Sequence, residues 1–429
     1  MASSIQTASI IGLEAYPVSV EADISPGLGA FVIVGLPDAA IQEARERVKS
    51  AMKHTDVPYP RTHVTVNLAP ADLRKTGTPF DLPIALALLV AQGDVPDQAD
   101  QRRMFAGELG LDGTLRPIHG ALSFAILAKE QGIKELILPQ ANAKEAALVD
   151  GVNILPAQTL RDVIDHVCEK CPLSVEPARN WAEAPFHPHG LDFSAIRGQA
   201  QARRALEIAA AGGHNILMQG PPGSGKTLLA RSFPTILPRL SSIEALQVTR
   251  IHSVAGLLPS DGVVVERPFR SPHHSASAPS LVGGGTIPKP GEISLAHRGV
   301  LFLDEFLEFP RAVIESLRQP LEDGFVTVSR AHGSLTFPAR FILLAAMNPC
   351  PCGFLTDQDQ TCSCTPMVVL KYRKRLSGPL LDRLDLFIEV PKVKTQDLTE
   401  QAAAEESEQI RERVEAARAI QVDRCANGR

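Results

Sequence analysis

The stretch His214-Asn-Ile-Leu-Met-Gln-Gly-Pro-Pro-Gly-Ser-Gly-Lys-Thr227 decides how this 429-residue chain is read. An apolar run, His214–Gln219, reads as a strand. It leads into Gly220, Pro221, Pro222, Gly223, Ser224, Gly225, Lys226 and Thr227, which match G-x-x-x-x-G-K-[ST] in full, and Leu228–Ser232 continues as a helix. Strand, glycine turn and helix in that order are the context a phosphate-binding loop requires. Glycines let the backbone turn tightly enough to aim N–H groups at phosphate oxygens. The helix that follows presents its positive end to the same anion. Lys226 is placed to neutralise β and γ charge, and the Thr227 hydroxyl to ligate Mg²⁺. ATP with Mg²⁺ is the expected cofactor.

Further along, Gly299-Val-Leu-Phe-Leu-Asp304-Glu305 reads as a buried strand ending in two acids. Carboxylates at the end of an apolar strand are costly unless a metal or donors satisfy them. Beside the glycine loop, Asp304 would hold the Mg²⁺ and Glu305 would polarise the attacking water. A third apolar strand, Phe341–Met347, ends at Asn348, which could orient water or touch the γ-phosphate. Asn-Pro is also a common turn starter.

Composition adds bounds. Hydrophobic residues make up 44% and charged residues 21%, as in ordinary globular proteins. The net charge of −5 gives no overall basic field, so any nucleic-acid contact has to be local. The N-terminus has no basic segment ahead of an apolar one, and the longest apolar run, Leu82–Ala91, is too short to span a bilayer. The expectation is a cytoplasmic protein with no membrane partner. Seven cysteines are too few for a disulfide scaffold, but four of them cluster as Cys350-Pro-Cys352 and Cys362-Ser-Cys364. Four thiolates within so short a stretch can close a tetrahedral Zn²⁺ site. The C-x-C spacing departs from the usual C-x₂-C, and free thiols or redox chemistry are the alternatives.

The chain divides by pattern. Residues 1–170 alternate short strands, such as Ala30–Val34, His63–Leu68 and Glu135–Pro139, with helices over Asp38–Lys53 and Leu82–Val90. Residues 171–190 carry prolines without periodicity and read as a linker. Residues 191–393 hold the nucleotide motifs, and 394–429 read as the start of a helical region, with an exposed helix over Gln396–Ile420. The fold class is α/β.

Gly291-Glu-Ile-Ser-Leu-Ala-His-Arg-Gly-Val-Leu-Phe-Leu-Asp-Glu305 resembles the signature of magnesium-chelatase-like AAA+ ATPases. Asn348-Pro-Cys-Pro-Cys-Gly353 and Leu376-Ser-Gly-Pro-Leu-Leu-Asp-Arg-Leu-Asp385 resemble the YifB/ComM branch more specifically. The resemblance covers essentially the whole chain. It implies a homo-hexameric ring with ATP between subunits, in which Asn348 matches the sensor-1 position. Arg383 matches the arginine finger that reaches a neighbour's γ-phosphate; an ion pair with Asp382 or Asp385 is the plainer reading of the residues alone. It further implies a DNA motor promoting branch migration when incoming strands recombine during natural transformation. A chelatase subunit and a chaperone without peptidase activity are the alternatives.

The N-terminal domain resembles the Lon-protease fold, of the ribosomal S5 domain 2-like kind. On an ungapped reading, Pro79 stands where the protease has its serine and Ser123 where it has its lysine. A Ser–Lys dyad needs both an alkoxide source and its base, so no peptidase activity is expected. The family continues through a helical lid with a second sensor arginine that is not found here, so the chain reads as a fragment.

DNA contacts are expected at three places. The long, Gly-, Pro- and His-rich stretch from Val254 to Pro290 resembles a pore-facing insertion and includes His273, His274 and Lys289. Phe325–Phe337 alternates as two strands around Ala331-His332-Gly333, a hairpin whose Arg330 and His332 would meet DNA. Lys371-Tyr-Arg-Lys-Arg375 is a further basic run, more often a solvated helix face.

Overall fold

A computed structural model describes residues 3–98, 102–179, 186, 190–285, 288–330, 333–357, 359–393 and 405–426. The chain forms two compact units. One comprises residues 1–183 together with 249–264, the other residues 184–248 and 265–429.

The first unit is built on a four-stranded sheet of β1 (Ser3–Ile11), β2 (Glu14–Ser25), β3 (Ala30–Val34) and β4 (His63–Ala69), in the order β1-β2-β4-β3. β1 and β2 are antiparallel, as are β2 and β4, whereas β3 runs parallel to β4. A right-handed or left-handed crossover must therefore join β3 to β4. It includes α1 (Ala44–His54), preceded by a short turn of helix over Ala39–Gln42. The Asp38 side chain caps that turn by accepting the Ile41 N–H at 3.0 Å. One continuous helix over Asp38–Lys53 was the expectation; the chain instead breaks at Glu43. The β4 side chains alternate half-buried and buried, as a one-face sheet strand must. Helix α2 (Asp81–Gln92) is apolar all round and lies in the core, where Leu82, Leu86 and Leu89 pack with Val20, Val66 and Val48. A second, parallel sheet of β5 (Arg103–Phe105), β6 (Glu135–Pro139) and β7 (Asn153–Ala157) completes the unit.

The segment 249–264 belongs to this first unit, although its residues from Val254 on were read from sequence as the start of an insertion in the nucleotide domain. Arg250 donates to Glu14 at 2.7 Å and to the Ser123 hydroxyl at 3.1 Å, and Ser253 donates to the buried Glu145.

The second unit opens with α3 (Ala200–Gly212), which ends on Gly213 in the left-handed conformation. Its sheet is fully parallel: β8 (Ile216–Gln219), β9 (Phe269–Arg270), β10 (Val300–Leu303), β13 (Ile342–Met347) and β14 (Leu386–Glu389), in the order β9-β10-β13-β8-β14. Between β10 and β13 the chain makes an antiparallel hairpin of β11 (Phe325–Arg330) and β12 (Gly333–Pro338). β10 and β13 are buried along their whole length, as strands covered on both faces must be. Helix α4 (Lys226–Ser232) follows β8. The final helix, α5 (Ser407–Ala426), buries Ile410 and Val414 in the same core as Leu206, Phe233 and Phe302. Of the expected exposed helix over 396–420, residues 396–404 lie outside the described residues, and the described part is helical from Ser407 with Ile410 and Val414 buried.

Candidate nucleotide site

Strand order builds the site. β13 lies between β8 and β10, so the loop after β8, the acids after β10 and the asparagine after β13 all emerge at one edge of one parallel sheet. Ligands bind at that carboxyl end in open α/β sheets.

The glycine loop is held by close backbone contacts. A Cβ on Gly220 would lie 2.2 Å from the Val390 carbonyl oxygen, so only glycine fits there. Gly223 and Gly225 have φ of 76° and 92°, the left-handed region that L side chains avoid. The Lys226 ammonium donates to the Gly220 and Pro221 carbonyls, both at 2.8 Å, and lies 3.5 Å from Asn348 Oδ1. Burial lowers its pKa, and Asp304 and Glu305 work against that shift. The lysine is therefore folded back on its own loop, ready to exchange carbonyls for phosphate.

The Thr227 hydroxyl donates to Asp304 Oδ2 at 2.7 Å, which brings together the two side chains that a nucleotide-bound Mg²⁺ needs. Ser224 Oγ is buried without a hydrogen-bond partner, a polar atom in the loop that a phosphate oxygen would satisfy. Donor set and cradle thus fit Mg-nucleotide. Glu305 is exposed in the left-handed conformation, with φ of 50°, and His274 Nδ1 lies 3.2 Å from its carboxylate. A non-glycine residue so placed is strained, a feature that clusters at functional sites.

Three contacts were not foreseen. The Gln199 amide reaches the Ser224 carbonyl at 3.3 Å from a left-handed backbone position that no sequence pattern marks. Arg383 pairs with Glu322 at 2.9 Å, not with Asp382 or Asp385. That bond, with a second from Arg318, holds the Glu322 carboxyl below its ordinary range. Gly353, with φ of 87°, abuts the ring of Pro222 so closely that a Cβ would meet it at 2.8 Å.

The last contact connects the cysteine cluster to the glycine loop. The sulfurs of Cys350, Cys352, Cys362 and Cys364 all lie within 4.8 Å of one another. Cys350 is 3.4 Å from Cys352 and 3.7 Å from Cys362, and Cys352 is 3.6 Å from Cys362. Four sulfurs around tetrahedral Zn²⁺ at about 2.3 Å would stand roughly 3.8 Å apart. Backbone N–H groups of Phe354 and Ser363 pull Cys352 down to about 6. Cys362 is pulled down by the Cys364 N–H, but burial and the neighbouring thiols outweigh that and push it up to about 12. Thiols packed this closely cannot all ionise unless a cation joins them.

Among the DNA candidates, Lys289 is exposed, Arg330 ends β11 opposite Gly333, and His332 lies outside the described residues. His273 bonds Ser275 at 2.8 Å, and its ring lies against that of His274 with centroids 4.0 Å apart and planes tilted by 35°.

Residues 192–398 match the family described as magnesium chelatase, subunit ChlI, and residues 20–142 the one described as subunit ChlI of Mg-chelatase. The chain is 46% identical to the competence protein ComM of Haemophilus influenzae over 97% of its own length and 82% of that protein. It is 44% identical to the uncharacterized protein YifB of Escherichia coli over 98% of its length and 82% of that protein. The chain belongs to the ComM/YifB family of magnesium-chelatase-like AAA+ ATPases. A magnesium-chelatase 67 kDa subunit of Heliobacterium mobile is more distant, at 28% identity over 54% of this chain. Membership supports ATPase activity using ATP and Mg²⁺. No helix among the described residues is long and apolar enough to cross a membrane.

Proposed function

We propose that this ATPase is a DNA motor, acting as a homo-hexameric ring that promotes branch migration as incoming strands recombine during natural transformation. The observation that carries the ATPase half is the Thr227–Asp304 bond at 2.7 Å beside a folded-back Lys226. When bound, Mg²⁺ supplies charge neutralisation for the transferring phosphoryl. Thr227 and Asp304 would hold it, and Lys226 would exchange the loop carbonyls for the phosphates. Glu305 accepts a proton from the attacking water, and Asn348 orients that water.

Arg383 is exposed, where a neighbouring subunit's nucleotide can meet it, and it must leave Glu322 to do so. The motor half is supported by similarity to the competence protein ComM and by the hairpin β11–β12, inserted before the strand that ends at Asn348. Such a hairpin is coupled to the nucleotide through one strand, and Arg330 near its tip would grip DNA. Lys289 is a further candidate contact. The cysteine cluster fits structural Zn²⁺, which would fix the turn after Asn348 against Pro222.

The test is ATP hydrolysis with and without single-stranded and branched DNA, with Glu305→Gln as control. Stimulation by DNA that the variant abolishes supports the motor. Hydrolysis indifferent to DNA overturns it and favours a chelatase-type or chaperone ATPase.

A further inference from the structure

A cleft of about 830 Å³ lies in the first unit, between α1 and the segments 29–31 and 56–62. Its walls carry four cations. Arg45, Lys49 and Lys53 recur every fourth residue on α1 and so form one stripe along the helix. Successive members stand about 6 Å apart along the axis, the order of the spacing between phosphates on an extended strand. Arg61 adds a fourth charge. All four are exposed. Among the described residues no carboxylate pairs with Lys49, Lys53 or Arg61, while Arg45 has an exposed contact with Glu46 at 3.5 Å. Asp56 is the one acid in the lining. In a chain of net charge −5, four cations against one acid are a local excess.

The cleft also holds two aromatic rings. Phe31 and Tyr59 stack with centroids 6.5 Å apart and planes 25° from parallel, both half-buried. Gly29 packs close to the Arg61 backbone at the same place, where a Cβ would press to 2.9 Å on the Arg61 carbonyl oxygen. Cations tracking a backbone beside flat rings are the combination by which single strands are held without regard to sequence. Isolated phosphate or an acidic peptide would use the charges but not the rings. We propose that this cleft binds single-stranded nucleic acid, with phosphates along Lys49, Lys53 and Arg61 and a base against Tyr59 and Phe31. The proposal deepens the DNA-motor reading by adding a contact remote in sequence from the β11–β12 hairpin, and it does not depend on that hairpin.

The experiment is fluorescence anisotropy of the full chain with fluorescein-labelled dT20, without nucleotide, over a range of salt. Lys49→Gln/Lys53→Gln should weaken binding about tenfold and flatten the log–log salt slope by about 1.4. Tyr59→Ala should weaken it about tenfold and leave the slope unchanged. Tyr59→Phe, which keeps the ring, should bind as the parent does. Basal ATP hydrolysis should be unaltered in all three. Iodouracil substituted in dT20 should cross-link to a peptide containing Phe31 or Tyr59. Unchanged affinity in both weakening variants overturns the proposal, as does equal competition by polyglutamate. Loss of binding in Arg330→Ala alone overturns it while sparing the motor. Loss in the cleft variants alone supports it while removing the hairpin from the motor reading.

Discussion

Thr227 and Asp304 are 77 residues apart in sequence, yet the hydroxyl of one donates to the carboxylate of the other at 2.7 Å. Each holds the other in the position from which Mg²⁺ would be bound. Replacing Asp304 by Asn keeps the hydrogen bond but removes the charge that balances the metal. Hydrolysis should fall by about 10²–10³, the order of cost of removing one preorganised oxyanion-hole donor. Nucleotide binding without Mg²⁺ should be little changed. Steady-state ATPase rates beside equilibrium binding of a fluorescent ATP analogue separate the two effects. Equal loss of both would show that Asp304 only supports the fold of the loop.

Metal content gives a second prediction. The purified chain should carry about one Zn²⁺ per molecule, read by mass spectrometry of the metal, and Co²⁺ substitution should give thiolate charge-transfer absorption. Cys352→Ser or Cys362→Ser should remove most of it. Because Gly353 presses on Pro222, metal loss should also weaken ATP binding, although no cysteine touches the glycine loop in sequence. A metal-free chain with unaltered ATP affinity would sink both the site and its coupling.

In the first unit, Arg47 makes a two-pronged ion pair with Asp81, at 2.6 Å and 3.0 Å, and Asp81 also accepts the Leu109 N–H at 3.2 Å. Burial raises the Asp81 pKa, while its hydrogen bond and charge pairing with Arg47 oppose the rise. Asp81→Asn removes the buried counter-charge of a half-buried guanidinium. The expected loss is about 3–5 kcal/mol of stability, the cost of breaking rather than replacing a buried pair. Urea unfolding followed by far-ultraviolet circular dichroism measures it; a midpoint within error of the parent would mean that the pair is solvated.

The residues that meet at the candidate nucleotide site were legible because their pattern is local. The G-x-x-x-x-G-K-[ST] pattern puts Lys226 and Thr227 at the end of the glycine loop, and an apolar strand can end in Asp304 only where a metal or hydrogen-bond donors satisfy it. Secondary structure was legible where period and burial agree, as in β4 and α2 of the first unit and β13 of the second. What the sequence hid depends on partners distant along the chain. Nothing near Arg383 marks Glu322 as its partner. Nothing near Gln199 shows that its amide reaches Ser224. The segment 249–264 continues a helix whose earlier residues pack elsewhere, so no change of period announces that it joins the first unit. At the cysteine cluster, sequence showed the donors but not their approach, because C-x-C spacing sets no distance across the nine residues between the pairs.

His297 supplies a pH-dependent prediction. It lies in the motif before β10, almost fully buried, with Nδ1 accepting the Arg340 N–H at 3.1 Å and Nε2 facing Gln247 Oε1 at 3.4 Å. That arrangement requires the neutral ring with its proton on Nε2. Burial, reinforced by Arg298 and Arg340, lowers its pKa from 6.5 to about 4. Below pH 6.5 the unfolded chain takes up a proton that the folded chain refuses, so the unfolded state gains. The contribution of the neutral ring is fully present above that pH and is lost as pH falls to about 4. The loss approaches roughly 3 kcal/mol from this one group. In His297→Gln, whose amide can keep both hydrogen bonds, the drop in urea midpoint between pH 7.5 and pH 4.5 should shrink relative to the parent. An identical drop in both proteins would assign the acid sensitivity to the carboxylates instead.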